Sequence, residues 1–233
     1  MVAEDVTNGE LLSGYVFGVD FDGAKTLLES EGYGSIISLP QNARFRIQEG
    51  PNSFISQNGN LTREAFLYIP GKGCFLTKKS PLLSRHSESA IAEIMSARHS
   101  YGIDDPRRLI EFPLTDEQIE EALSEAVKIR SASIPAERLG DDETTVFAFE
   151  ESSRAYGEFL KANGVHSMPI YLDDRFQSLN KPAARQVYFH DILRMRSAIH
   201  GYQLGKEALR GVRNRKTESE ERFRKNLRSI RGY

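Results

Sequence analysis

Turn chemistry cuts the first eighty residues into pieces too short for anything but a small, strand-rich module. Glu49-Gly50-Pro51-Asn52, Asn58-Gly59-Asn60 and Pro70-Gly71-Lys72-Gly73 each interrupt the chain, because glycine and proline favour backbone angles that suit turns rather than element interiors. Between them fall strand candidates at 35–39, 43–48, 54–56, 65–69 and 74–77. The last two flank the 70–73 turn and read as a hairpin. Ahead of them, 15–19 is a short apolar run. Residues 22–31 carry Ala24, Leu27 and Leu28 at helical spacing, with Gly32 and Gly34 as stops.

The rest of the chain alternates. Residues 81–101 read as a connector running into a helix, and 108–113 as a short strand. The pattern predicts a helix over 114–130: Thr115 and Gln118 have capping-box spacing, and Ile119, Ala122, Leu123, Ala126 and Val127 share one face. Residues 144–149 are β-branched and aromatic and read as a strand, or as the start of one long helix into Asn163. Residues 152–163 read as a helix and 168–172 as a strand. A long helix is expected over 182–212, since Tyr188, Ile192, Met195, Ile199, Tyr202 and Leu209 follow steps of four and three. The expected fold is therefore α/β or α+β. A strand-rich module over 1–83 precedes an α/β domain over 84–212, which ends in a long basic helix, and 213–233 forms a basic tail.

Charge is divided along the chain. Residues 181–233 hold fourteen Lys and Arg against five Asp and Glu, a net of +9, and the remainder carries −11. Such a basic end suits a polyanion, an acidic partner surface or the chain's own acidic face. Lys72, Lys78 and Lys79 near the hairpin, with Arg210, Arg213, Arg215, Lys216, Arg222, Arg224, Lys225 and Arg228, are the candidate phosphate contacts. The competing reading is a solvated helix end, with Glu218, Glu220 and Glu221 pairing internally. Cys74 is the single cysteine, which excludes an internal disulfide and makes a reducing, cytoplasmic setting the expectation. No run approaches the ~20 apolar residues of a membrane helix, so no membrane partner is expected. Phosphate-loop, dinucleotide, Cys/His metal and Gly-x-Ser-x-Gly motifs are missing.

Three carboxylate pairs follow expected strands: Asp20 and Asp22, Glu150 and Glu151, and Asp173 and Asp174. Ligands of open α/β sheets sit beyond the carboxyl ends of strands. Converging acids there would hold Mg²⁺ and present it to phosphate, with Asp20, Asp22, Glu150, Asp173 and Asp174 as the metal candidates. Acids that cap the following helices are the alternative. In the long helix, Arg194 and His200 are candidates for metal-free phosphodiester cleavage. The His would act as acid/base and the Arg would stabilise charge on the phosphate. Arg185 and His190 meet the same spacing.

Several of these residues carry resemblances. Val19-Asp20-Phe21-Asp22-Gly23 is similar to the nucleophile motif of haloacid-dehalogenase-type phosphatases, which implies Asp20 as nucleophile and Asp22 as acid/base, although Ala24 stands where that family has Thr. Val16-Phe17-Gly18-Val19, the segment from Leu27 to Gly34, and Leu61-Thr62-Arg63-Glu64-Ala65-Phe66-Leu67-Tyr68 together resemble, over 14–77, the amino-terminal domain of archaeal tRNA-splicing endonucleases. That likeness implies a shared module and an RNA connection. Arg194, five intervening residues and His200, with Tyr202 two positions on, resemble the HEPN ribonuclease pattern. The leading expectation is a nucleic-acid-associated protein, RNA first, binding through its basic end. Its alternatives are a Mg²⁺-dependent phosphoryl-transfer enzyme, a metal-free ribonuclease, and a protein-interaction subunit or homodimer that pairs through the C-terminal helix.

Overall fold

A computed structural model describes residues 5–8, 11–18, 21–83, 114–202 and 208–214. Among these, one 11-stranded mixed sheet organises the molecule. Its strands are β1 (Asp5–Asn8), β2 (Leu11–Val16), β3 (Ser35–Ile36), β4 (Asn60–Ile69), β5 (Gly73–Thr77), β6 (Ala126–Ile129), β7 (Ala132–Pro135), β8 (Ser167–Tyr171), β9 (Ala183–Phe189), β10 (Ile199–Tyr202) and β11 (Leu209–Asn214). The helices are α1 (Phe21–Ser30), α2 (Leu39–Glu49), α3 (Phe54–Gln57), α4 (Asp116–Ser124), α5 (Glu143–Phe149) and α6 (Ser153–Ala162).

The strand order is β1-β2-β11-β4-β9-β10-β8-β7, with β3 on β11 and with β5 and β6 branching from β4. Pairing is antiparallel except for β10 with β8 and β11 with β4. Strand β4 is the fork. One of its edges takes β9, from Asn60↔Phe189 to Tyr68↔Ala183. The other is shared, β11 meeting it at Leu61 and β5 from Ala65 onward. A bulge between Leu61 and Ala65 separates the two branches, as an unpaired extra residue bends a strand and ends local pairing. The sheet therefore crosses the boundary expected near residue 83, because β4 pairs with β9 and β2 with β11.

Buried polar groups occupy the fork. Asn42, Asn60, Thr62, Glu64 and Gln186 are all fully buried. Gln186 Nε2 donates to the Thr62 and Glu64 carbonyls, which the bulge takes out of the ladder. Glu64 Oε2 accepts from the Leu39 N–H at 3.1 Å, at the start of α2. That helix begins with a complete capping box, Ser38 with Gln41.

The two faces of the sheet are covered differently. On one, α2, α5 and α6 enclose a core that includes Phe66, Phe149, Tyr156, Val187 and Phe189. On the other, α1 lays Phe21, Ala24 and Leu28 over β2, β11 and the start of β4, and α4 covers Leu67, Ile69 and Ala184. Gly14 and Gly211 pair across β2 and β11, and the Tyr33 ring lies on them.

Several sequence expectations change here. The class is mixed α and β and rich in strands, but residues 182–212 hold β9, β10 and β11 rather than a long basic helix. The homodimer seam expected on that helix goes with it. Strand β9 is buried on both faces, and even Arg185 and Gln186 are covered, so its apolar residues do not alternate. Residues 144–149 are helical, started by an Asp142 cap on Thr145. That helix stops at Glu150, whose φ is 55°, so no single helix runs to Asn163. Residues 43–48 lie in α2 and 54–56 in α3. The helix expected over 114–130 ends at Ser124, where the chain turns into β6. The capping box of Thr115 with Gln118, the 70–73 hairpin, α1 and the strand at 168–172 form as read. The elements expected at 81–101 and 108–113 fall wholly or mostly outside the described residues.

Candidate recognition site

The part of the sheet that α1 and α4 leave open carries a row of rings. Strand register fixes it: His200 on β10 stands opposite Tyr171 on β8 and Tyr188 on β9. Tyr171 meets His200 edge-on at 6.1 Å, His190 stacks on His200 at 6.1 Å, and Tyr188 meets His190 edge-on at 4.8 Å. Tyr171 is 44% exposed. Burial disfavours the charged form of both imidazoles. Burial, then the repulsion His200 exerts when protonated, pushes His190 down to about 4, and burial also lowers His200. The row thus presents uncharged aromatic edges.

A connection from His190 to Ala198 joins β9 to β10. Its base is pinned. Ile192 and Ser197 are fully buried, and the Ile192 N–H donates to the Ser56 carbonyl at 3.0 Å. Arg46 on α2 reaches under it. Nη1 donates to the His190 carbonyl at 2.8 Å, Tyr156 Oη at 3.2 Å and Ser197 Oγ at 3.3 Å, and Nη2 donates to the Phe189 carbonyl at 3.4 Å. Asp191 Oδ1 accepts from the Arg194 N–H at 2.7 Å. Arg196 and Ser197 hold φ of 53° and 55°, a left-handed conformation that costs a non-glycine residue energy and persists only when its surroundings impose it. The tip is exposed: Leu193 at 58% and Met195 at 38%, with Arg194 and Arg196 beside them. A rigid base thus presents two apolar and two cationic side chains.

The sequence-derived candidates are placed as follows. Arg194 is at this tip and His200 in the row of rings, on a loop and a strand rather than along one helix. Asp22 is exposed in the first turn of α1, and Asp20 lies outside the described residues. Glu150 ends α5 and pairs with Lys78 at 2.6 Å. Asp173 caps the 3₁₀ turn after β8 and binds Arg175 at 2.6 Å, which lowers its pKa. Asp174 sits beside it at the mouth of a cleft. Among the described residues, no three His, Cys, Asp or Glu side chains are grouped to hold a metal ion, so the expected carboxylate centre for Mg²⁺ is not assembled there.

Three of the five described basic candidates are engaged within the protein itself. Arg210 is fully buried, its guanidinium over the Tyr15 ring at 4.9 Å and donating to Ser13 Oγ at 3.0 Å. Arg213 lies over Tyr33 at 4.5 Å and donates to the Glu31 carbonyl. Lys78 is tied to Glu150, while Lys72 and Lys79 are exposed. Arg215, Lys216, Arg222, Arg224, Lys225 and Arg228 lie outside the described residues. Arg46, Tyr171, Tyr188, Leu193 and Met195 were not singled out as site residues from the sequence. Their only signal there is an Arg- and Met-containing stretch inside an apolar segment.

No family model and no curated protein matches the chain. A solved structure does, one described as the accommodation of massive sequence variation in Nanoarchaeota by the C-type lectin fold. The match has a TM-score of 0.61 at 17% identity and covers 88% of this chain and 99% of that one. At that identity the likeness is one of fold. It overturns the expectation of an RNA-binding protein, which rested on a free basic helix. The fold is lectin-like, and the described arginines of that segment's last strand are packed against rings. No helix among the described residues is long and apolar enough to cross a membrane.

Proposed function

We propose that this chain is a recognition module that meets a protein ligand with the Tyr171–His200–Tyr188 row and the exposed tip between Ile192 and Ser197. The observation that carries the reading is the contrast within one loop. Its ends are fully buried, whereas Leu193 is 58% exposed. Exposed apolar side chains on a pre-organised base lose little entropy on binding, which favours affinity. Tyr, Met and Arg are enriched where protein surfaces meet. Likeness in fold to a protein described as accommodating massive sequence variation supports a mount on which presented residues can be replaced.

The test is panning. The full chain is immobilised and challenged with a displayed library of protein domains. The expected result is a set of clones retained by the wild type and lost by a Tyr171→Ser, Leu193→Ser, Met195→Ser variant that keeps its melting temperature. Clones retained equally by both, or none above a surface coated with an unrelated domain, refute the reading.

A further inference from the structure

A second site lies on the opposite face of the sheet. The register of β4, β5 and β6 sets Tyr68, Cys74 and Ile129 in one cross-strand row. The segment after β8 folds back over the end of that row, with Phe176 stacked on Tyr68 at 5.7 Å and 15°. Beyond that stack the segment and the strands leave a gap. It is a cleft of about 420 Å³ whose lining includes Tyr68, Cys74, Ile129 and Leu172, within the size range of small-molecule sites. The floor is rigid and apolar: Tyr68, Cys74 and Ile129 are each buried, and burial pushes the Cys74 thiol up to about 12, so it stays protonated.

The mouth carries charge of both signs. Asp173 is neutralised by Arg175. The Asp174 carboxylate next to it and the Arg130 guanidinium on the β6–β7 turn are both exposed and line the cleft, and neither is paired with another described side chain. The turn and the segment after β8 are fixed to each other by the Leu172 N–H, which donates to Ser131 Oγ at 3.1 Å. An unspent carboxylate and an unspent guanidinium over an apolar floor are complementary to a small molecule with an ammonium, a carboxylate and an apolar body. The geometry points to a free α-amino acid with an apolar side chain as the ligand. Its ammonium meets Asp174, its carboxylate meets Arg130, and its side chain rests on Ile129 and Leu172. Charge-assisted hydrogen bonds of this kind give orientation as well as affinity.

The full chain is titrated by calorimetry with leucine, methionine and phenylalanine, up to about 50 mM to reach weak sites. Two fragments of leucine are titrated alongside, 4-methylpentanoate without the ammonium and 3-methylbutylamine without the carboxylate. Saturable binding of at least one amino acid is expected, weakened roughly tenfold or more by Asp174→Asn and by Arg130→Gln and by loss of either charged group from leucine. Protection is the second reading. Cys74 is the chain's single thiol and lies on the floor, so the bound amino acid slows its conversion to the methyl disulfide by methyl methanethiosulfonate, which releases methanesulfinate, in the wild type but not in Asp174→Asn. No saturation by any of the three, equal binding of either fragment, or binding unchanged in both variants overturns the proposal.

Discussion

The guanidinium carbon of Arg46 lies 3.9 Å from the centre of the Phe189 ring while its Nη1 donates to the carbonyl of the next residue, His190. One side chain from α2 thus holds both the last residue of β9 and the start of the connection that follows it. Arg46 is fully buried, and its described partners are rings, carbonyls and hydroxyls rather than a carboxylate. Removing it strands the Phe189 and His190 carbonyls. Each buried bond to a charged donor is worth roughly 1.5–3 kcal/mol, and an unsatisfied buried acceptor adds its own cost. Arg46→Met is therefore expected to destabilise the chain by about 3 kcal/mol in urea denaturation and to speed amide exchange over 190–198. A loss under about 1 kcal/mol, with exchange unchanged, would show that the loop does not depend on this contact.

Glu64 makes stability depend on pH. Burial raises its carboxyl from 4.5 to about 7, against the opposing pull of Thr62, Arg63 and the Leu39 N–H. The folded state then holds the proton more tightly than the unfolded chain. This contribution is fully present below pH 4.5 and is lost as pH rises through about 7, a difference on the order of 3 kcal/mol. His190 works in the other direction. Its value drops from 6.5 to about 4, so its share is present above pH 6.5 and lost as pH falls toward 4. The wild-type curve sums the two, and the informative quantity is its difference from Glu64→Gln. That difference should move by about 3 kcal/mol in favour of the variant between pH 4 and pH 8. A pH-independent difference would mean that folding does not raise the Glu64 carboxyl.

The sequence carried local signals better than tertiary ones, and the misreadings share a cause. Thr115 with Gln118 and the 70–73 turn act within four residues, and both form as read. Ser38-Leu39-Pro40-Gln41 is an equally local helix start, complete in the structure, and the strand expected over 43–48 ignored it. Residues 144–149 looked like a strand because Thr and Val favour one, but the Asp142 cap and the burial of Ala148 and Phe149 decide for a helix. The failure at 182–212 is different in kind. Strand β9 lies between β4 and β10 with both faces covered, so no alternation marks it, and Arg185 and Gln186 resemble the polar face of a surface helix. The recognition row needed strand register, since Tyr171, Tyr188 and His200 meet only across three strands. The carboxylates looked like a centre because each follows an expected strand, yet Glu150 follows a helix.

The pairing of Gly14 with Gly211 exists to seat Tyr33. A Cβ on Gly14 would lie 2.5 Å from Tyr33 Cζ, and one on Gly211 would lie 2.8 Å from Tyr33 Cβ. Tyr33 is buried between α1 and the strands and has little room to yield. Gly14→Ala should cost roughly 1–3 kcal/mol, as overpacked cores do. In a Tyr33→Ala background the same change should cost only a few tenths of a kcal/mol, since the clash has gone. Equal costs in the two backgrounds, measured by thermal and urea unfolding, would place the strain somewhere other than under the ring.

The contrast between base and tip of the β9–β10 connection predicts opposite outcomes at adjacent positions. Ile192 is fully buried and packs into the main core, so Ile192→Ala removes buried methylenes and leaves a cavity. Leu193, one residue on, is 58% exposed, and water already surrounds most of it. Ile192→Ala should therefore lower stability by about 2–5 kcal/mol. Leu193→Ser and Met195→Ser, alone or together, should each stay within about 0.5 kcal/mol of the wild type. Urea denaturation of the purified full chain separates these outcomes. If the tip substitutions cost as much as the base substitution, the tip is packed in solution and is not available to a ligand. If they are neutral, the loop is a stable mount whose outer residues are free to change, which is what recognition by this surface requires.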